Sequence, residues 1–314
     1  PFFVLQTKKK SEMKNKYDTL FKHQVPNSMD GIIIFGKDDD YLKPQSYNKI
    51  TDIENEIWAD LYNNVSELQK KYASKEFLDG LKKLSIPENN FPDFKLISRE
   101  LFKASKWELV SVAGFLTEEL FFDLNAQRKF PVTDIIRKSP RFDEKYHGEI
   151  IVNDEGYTPE PDIFHDVQGH IPFLANKEYS NFLHKVGILG DKIIKNELGL
   201  SKDLVDHNLK RLQNFAWWTY EFGLLKKQNV NATNDIDYEI YGSGILSSQS
   251  EILNIVNCAK NKSDQSVFLP YDIDEIILTS FNYSNIQDRY YVIDSMSSLY
   301  QSFDDNQHLF FYEG

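Results

Sequence analysis

The chain of 314 residues carries 36 Lys and Arg against 48 Asp and Glu, a formal net charge of −12 with a sequence pI near 5.1. That balance argues against a duplex-DNA footprint and an anionic membrane surface, while 41% hydrophobic residues, including 23 Phe and 17 Tyr, argue against disorder. No stretch approaches the roughly 18 apolar residues of a membrane span, and the single Cys258 excludes an internal disulfide, so the expectation is a cytoplasmic protein with no nucleic-acid and no membrane partner.

In chain order, residues 1–50 are polar and Lys-rich apart from Gly31-Ile-Ile-Ile-Phe-Gly36, and read as a partly irregular N-terminal extension. The short apolar start precedes Lys8, Lys9 and Lys10, the wrong order and length for a signal peptide. Thr51 and Glu54 form a capping-box pattern. Behind it Ile53, Ile57, Trp58, Leu61, Val65, Leu68 and Tyr72 recur at spacings that predict an amphipathic helix. A second helix is predicted over 74–84, stopping before Pro87. Residues 101–105 read as helix and 107–113 as an extended run. Thr117 then caps a helix to about Ala126, and 141–156 read as a loop or small hairpin. From Asp162 to Leu225 the pattern is mostly helical, with one helix over 177–196 and the next marked by Leu204, Leu209, Leu212 and Phe215. Ser247 or Ser248 opens a further helix towards Ala259. The β-rich runs 275–281 and 289–294 predict a hairpin. The fold class is therefore mainly α with a few short strands (α+β), with residues 51–314 as one domain.

His165 and His170 stand in Pro161-Asp-Ile-Phe-His-Asp-Val-Gln-Gly-His170, and Glu221 lies in the apolar run Ala216-Trp-Trp-Thr-Tyr-Glu-Phe-Gly-Leu-Leu225. Two imidazoles and one carboxylate match the ligand set of a non-haem iron(II) site with open positions. On a straight helix five steps turn about 500°, leaving the two rings about 140° apart, so the pair requires a distortion, which Gly169 would permit. A buried carboxylate needs a cation, a partner or a proton; a metal answers that need, and so does an Arg from another segment. Spacing alone leaves both open. No HExxH or CxxC pattern is present. Gly242-Ser-Gly244 reads as a turn bringing backbone close to a neighbour, not as a dinucleotide fingerprint.

Four segments then resemble one family, the pterin-dependent aromatic amino acid hydroxylases. Tyr157-Thr-Pro-Glu-Pro-Asp-Ile-Phe-His-Asp-Val-Gln-Gly-His-Ile-Pro-Phe173 resembles their central motif, and Trp217-Trp-Thr-Tyr-Glu-Phe-Gly-Leu224 the segment with their carboxylate ligand. Tyr241-Gly-Ser-Gly-Ile-Leu-Ser-Ser248 resembles the following active-site loop, and Val112-Ala-Gly-Phe-Leu116 the pterin loop. The resemblance implies the family's catalytic fold, with iron(II) bound by His165, His170 and Glu221 and O2 as co-substrate. It implies tetrahydrobiopterin beside Val112, Gly114, Phe115 and Leu116, stacked on Phe121 and met by Asp166. The substrate carboxylate falls to Arg137, oriented by Asp162, with Thr158, Gly244 and Ser247 nearby; Pro161 and Trp217 line the ring pocket. The spacing from Arg137 to Tyr157 exceeds the family's usual one, which makes Arg141 the fallback. Ala216 stands where the family usually has Tyr, and Gln168 where it is usually apolar.

The implied activity is that of the bacterial phenylalanine 4-monooxygenases, making tyrosine from phenylalanine. Tryptophan hydroxylation or meta attack on phenylalanine is the alternative within the family. A zinc-dependent hydrolase or a silent metal-binding module is the alternative outside it. The compact bacterial type also implies a monomer whose partner is a small aromatic amino acid.

Overall fold

The computed structural model describes residues 34–112, 115–133, 162–227, 236–282 and 285–314. Helix α1 (Asp52–Tyr72) starts at the predicted capping box, with the Thr51 hydroxyl accepting from Glu54 N–H and the Glu54 carboxylate accepting from Thr51 N–H. Its inner face, including Trp58, Leu61, Val65 and Tyr72, is buried, each large side chain adding about 1.5–3 kcal/mol. Helix α2 (Lys75–Leu84) follows as predicted. Helix α3 (Phe94–Ser105) begins seven residues before the apolar signal at Leu101, because Asp93 caps it by accepting from the N–H groups of Lys95 and Leu96.

Strand β1 (Ile34–Phe35) pairs in parallel with β3 (Phe115–Leu116), and β2 (Glu108–Val112) with β4 (Lys129–Thr133). Parallel pairing needs a crossover, and α4 (Glu118–Ala126), capped by Thr117, supplies it between β2 and β4. Residues just before α1 are stitched to this region: Lys43 N–H donates to Ser111 O, and the Gln45 amide bridges Pro92 O and Phe94 N–H.

Helix α5 runs from Asp162–Phe164 through His165–His170 to Ile171–Leu174. Helices α6 (Lys177–Lys195) and α7 (Lys202–Ala216) then follow, α7 continuing into Trp217–Glu221. Beyond them, β5 (Leu224–Lys226) is paired antiparallel with β6 (Tyr238–Ile240). Helix α8 (Ser243–Leu246) and α9 (Gln249–Lys260) come next, α9 with Ser248 at its N-cap.

The C-terminal hairpin expectation is corrected. Residues Ile273–Ile276 form a one-turn helix, α10, whose start is capped by Asp272 accepting from Asp274 N–H. Ile273, Ile276 and Ile277 are buried at the i, i+3, i+4 spacing of a helix, although each residue taken singly favours strand. The second run is a strand, β8 (Tyr290–Ile293), but its partners are β5 and β7 (Phe268–Pro270), both parallel, giving the order β6-β5-β8-β7. Helix α11 (Met296–Asp305) and a short 3-10 turn, Gln307–Phe310, follow. No helix among the described residues is long and apolar enough to cross a membrane. The predicted loop or hairpin at 141–156 lies outside the described residues.

Candidate metal centre

The two histidines share a π turn. His165–His170 is π-helical, with Ile171 N–H donating to Asp166 O five residues back. The wider turn cancels the angle that would separate the rings on an α-helix: their Nε2 atoms lie 3.0 Å apart and their planes meet at 85°. The expected distortion is therefore present, but Gly169 has a different task from the one predicted. Its φ is not positive, and a Cβ there would lie 2.8 Å from Ser243 O, so it admits α8 against α5.

Glu221 sits on a second π turn, Trp217–Glu221, closed by Phe222 N–H donating to Trp217 O at 2.9 Å. Its Oε1 lies 3.0 Å from His170 Nε2 and its Oε2 3.6 Å from His165 Nε2. The predicted close backbone approach at 242–244 is to Glu221 itself. A Cβ on Gly242 would fall 2.5 Å from Glu221 O, and one on Gly244 would enter the Phe222 ring.

Among the described residues His165, His170 and Glu221 are the one group of three or more such side chains whose ligand atoms converge, all within 4.8 Å of one another. Three bonds of about 2.1 Å meeting at about 90° set their donors about 3.0 Å apart, whereas tetrahedral bonds of that length set them about 3.4 Å apart. His170 Nε2 lies 3.0 Å from both His165 Nε2 and Glu221 Oε1, as for donors at about 90°, while His165 Nε2 and Glu221 Oε2 are 3.6 Å apart, so the three side chains converge on one ion without selecting its geometry. The hard and borderline donors, two nitrogens and a carboxylate, fit iron(II).

Ser247, predicted near the substrate, has its hydroxyl 2.7 Å from His165 Nδ1. That hydroxyl also donates to Ser243 O at 2.9 Å, so it accepts from His165 Nδ1–H and leaves Nε2 with a free lone pair for a metal. Phe130 lies 4.9 Å from the His170 ring and Tyr220 6.4 Å from it, so His170 is buried among rings. Burial, then the charge of Glu221, pushes the Tyr220 phenol far above its usual value, and it stays protonated.

Of the residues assigned to pterin, Val112 is buried at the end of β2, paired with Thr133, whose N–H donates to Asp166 Oδ2 at 2.8 Å. Val112, Thr133 and Asp166 thus form one chain of contacts ending beside His165. The Phe115 and Leu116 backbones form β3, and Phe121 packs edge-on to Phe122. Of those assigned to substrate, Asp162 is buried at the start of α5 and Trp217 at the start of the second π turn. Gly114, Arg137, Arg141, Thr158 and Pro161, and the side chain of Phe115, lie outside the described residues.

Both unusual residues are accounted for in space. Ala216 packs against the core. Gln168 is fully buried and donates to Gln69 Oε1 at 3.2 Å, while Gln69 Nε2 donates to Leu246 O at 2.7 Å, next to Ser247. Sequence reasoning missed Gln69, Glu251 and Gln287. Glu251 carried a readable signal: a carboxylate beside Ile252 and in register with Ile255 on the buried side of α9.

The biopterin-dependent aromatic amino acid hydroxylase family matches residues 40–308. The phenylalanine-4-hydroxylase of Chromobacterium violaceum is 32% identical over 263 residues, covering 84% of this chain and 77% of the relative. That of Caulobacter vibrioides is 31% identical, covering 83% and 76%. The crystal structure of the Chromobacterium violaceum phenylalanine hydroxylase with bound iron(III) and 7,8-dihydrobiopterin superposes with a TM-score of 0.67 at 29% identity, over 88% of each chain. With the fold, the converging ligands and the match over most of its length in agreement, this chain belongs to the biopterin-dependent aromatic amino acid hydroxylases.

Proposed function

We propose that this enzyme hydroxylates L-phenylalanine to L-tyrosine with O2 and a tetrahydropterin, iron(II) being held by His165, His170 and Glu221. The observation that carries the reading is the convergence of two imidazoles and one carboxylate, His170 Nε2 lying 3.0 Å from both His165 Nε2 and Glu221 Oε1, in a chain whose family hydroxylates aromatic amino acids. When bound, iron(II) and the reduced pterin supply the electrons that activate O2. The named relatives are phenylalanine hydroxylases, which favours phenylalanine over tryptophan.

The protein's own side chains do the rest. The triad occupies one face of the metal and leaves the opposite face for O2 and substrate. Ser247 keeps His165 in the tautomer whose Nε2 can ligate. Phe130 and Tyr220 exclude water around His170, which protects a reactive centre from unproductive quenching. Arg137 is assigned the substrate carboxylate, for which a guanidinium fork is suited, with Asp162 orienting it and Thr158, Gly244 and Ser247 at hand. Pro161 and Trp217 flank the ring. Val112, Gly114, Phe115, Leu116, Phe121 and Asp166 are assigned to the pterin.

Anaerobic loading with iron(II), followed by O2, a tetrahydropterin and a panel of aromatic amino acids, tests this by mass analysis of products. Tyrosine from phenylalanine, dependent on all three additions, is the expected result. Meta-hydroxylated phenylalanine or hydroxylated tryptophan as the main product would replace the substrate assignment. Hydrolysis independent of O2 and pterin would overturn the reaction class.

A further inference from the structure

Trp217 is held on three sides. Phe281 stacks on one face at 4.2 Å and 8°, and Phe222 stacks at 4.6 Å and 29°. Its indole N–H donates to Gln287 Oε1 at 3.0 Å. With both faces and the N–H occupied, an arriving aromatic ring meets only the remaining indole edge, the geometry of an edge-to-face pair.

The angle of that edge is set from outside the pocket. Gln287 Nε2 donates to two carbonyls, Asn282 O at 3.0 Å and Asn285 O at 2.8 Å, so its amide cannot flip and Oε1 must face the indole. The backbone of Gln287 is fixed in turn by Glu251, whose Oε1 accepts from Gln287 N–H at 3.0 Å. Glu251 Oε2 accepts from the Tyr290 hydroxyl at 2.6 Å, and that hydroxyl accepts from Asn254 Nδ2 at 2.9 Å. Glu251 is fully buried, and none of these contacts touches the metal ligands. A buried carboxylate is a costly way to hold a loop, and here every hydrogen bond it accepts converges on the strand and turn behind Trp217.

We propose that Glu251 is a positioning residue: by clamping Gln287 it sets the tilt of the Trp217 indole, and so the selectivity of the site among aromatic side chains. The inference rests on Trp217 lining the ring pocket.

Glu251→Gln tests it, because one of the two acceptor oxygens becomes an NH2, which either meets Gln287 N–H donor against donor or makes the Tyr290 hydroxyl give up its donation and accept instead. Amino-acid KM is expected to rise about tenfold, equivalent to losing one to two hydrogen bonds, while pterin KM and iron content stay as in the parent enzyme. The ratio of tryptophan to phenylalanine turnover shifts, and the near-ultraviolet circular dichroism assigned to Trp217 with a Trp217→Phe control falls. Gln287→Leu gives the same pattern, and the double variant is no worse than the more affected single one. Tyr290→Phe, which removes one hydroxyl and leaves the Gln287 clamp, shifts KM in the same direction by about twofold and covers the case in which Glu251→Gln fails to fold. Unchanged selectivity and dichroism, a parallel loss of pterin binding and iron, or additive single effects would each overturn the proposal. The dichroism is read on substrate-free protein, so it stands or falls separately from the assigned reaction, whose failure shows as no product from the parent enzyme.

Discussion

The two π turns that carry the ligands are built from different materials. His165–His170 is held by small and polar groups: Gly169 against Ser243, Ser247 on His165, and the amide pair of Gln168 and Gln69 reaching Leu246 O. Trp217–Glu221 is held by large rings with one polar handle each: the indole N–H of Trp217 on Gln287 Oε1, and that of Trp218 on Thr279 O at 2.8 Å. The first arrangement fixes the direction of lone pairs, as a metal requires, and the second fixes the tilt of an indole edge, as an edge-to-face partner for an aromatic ring requires. Damage to the first turn should appear in metal binding, and damage to the ring side of the second in amino-acid binding.

Removing a ligand breaks both turns' common product and has the largest effect. His170→Ala and Glu221→Ala each leave two donors, too few to retain iron, and metal analysis after gel filtration should return iron-free protein. Trp217→Leu, on the same π turn as Glu221, should keep its iron and raise amino-acid KM instead. Iron lost from all three, or from none, would abolish the division.

Next in size is a pH effect confined to the ring side. Burial pushes the Glu251 carboxyl up to about 7, against hydrogen bonds from Tyr290 and Gln287 that pull it down. The folded protein therefore holds a proton that the unfolded chain releases. The associated stability is complete below the unfolded value of 4.5 and is lost as pH rises through about 7; the whole swing is about 3 kcal/mol. Urea unfolding at pH 5 and pH 8 should show the parent losing more stability than Glu251→Gln, with iron affinity unaffected by the substitution at either pH.

Ser247→Ala should then cost about 10–100-fold in iron affinity, the usual effect of removing the group that orients a ligating imidazole. Competition with a chelator measures it. Amino-acid KM rising more than the metal affinity falls would instead put Ser247 on the substrate.

How much of this was readable from the chain follows the same division. Helix starts at Thr51 and Thr117 and the ligands His165, His170 and Glu221 were legible because each is a local pattern or a chemical oddity. The five-residue His spacing even announced a distortion, although its form depends on a backbone bond, Ile171 N–H to Asp166 O, that no residue type encodes. The strand partners of β8 were not legible, since parallel pairing with β5 and β7 is decided by distant segments. Ile276 and Ile277, inside the run 275–281, mislead because each singly favours strand, whereas with Ile273 just before the run they are buried at helical spacing. The roles of Gln69 and Gln287 were invisible, because both act through carbonyls or N–H groups of residues remote in sequence.

The smallest effect expected is at Gln168. Replacing it by Leu removes a 3.2 Å hydrogen bond and strands Gln69 Oε1, but it also removes Gln168 Oε1, a buried acceptor with no hydrogen-bond partner among the described residues. One stranded acceptor replaces another, so stability should change by no more than about 1 kcal/mol. Gln69→Leu is not balanced in this way. It abolishes the 2.7 Å bond to Leu246 O, leaves that buried carbonyl unpaired, and loosens the residue next to Ser247. Chelator competition should therefore rank iron affinity as parent, then Gln168→Leu, then Gln69→Leu. The reverse order of the two variants would mean that Gln168 steadies the π turn directly rather than through Gln69 and the Ser247 loop.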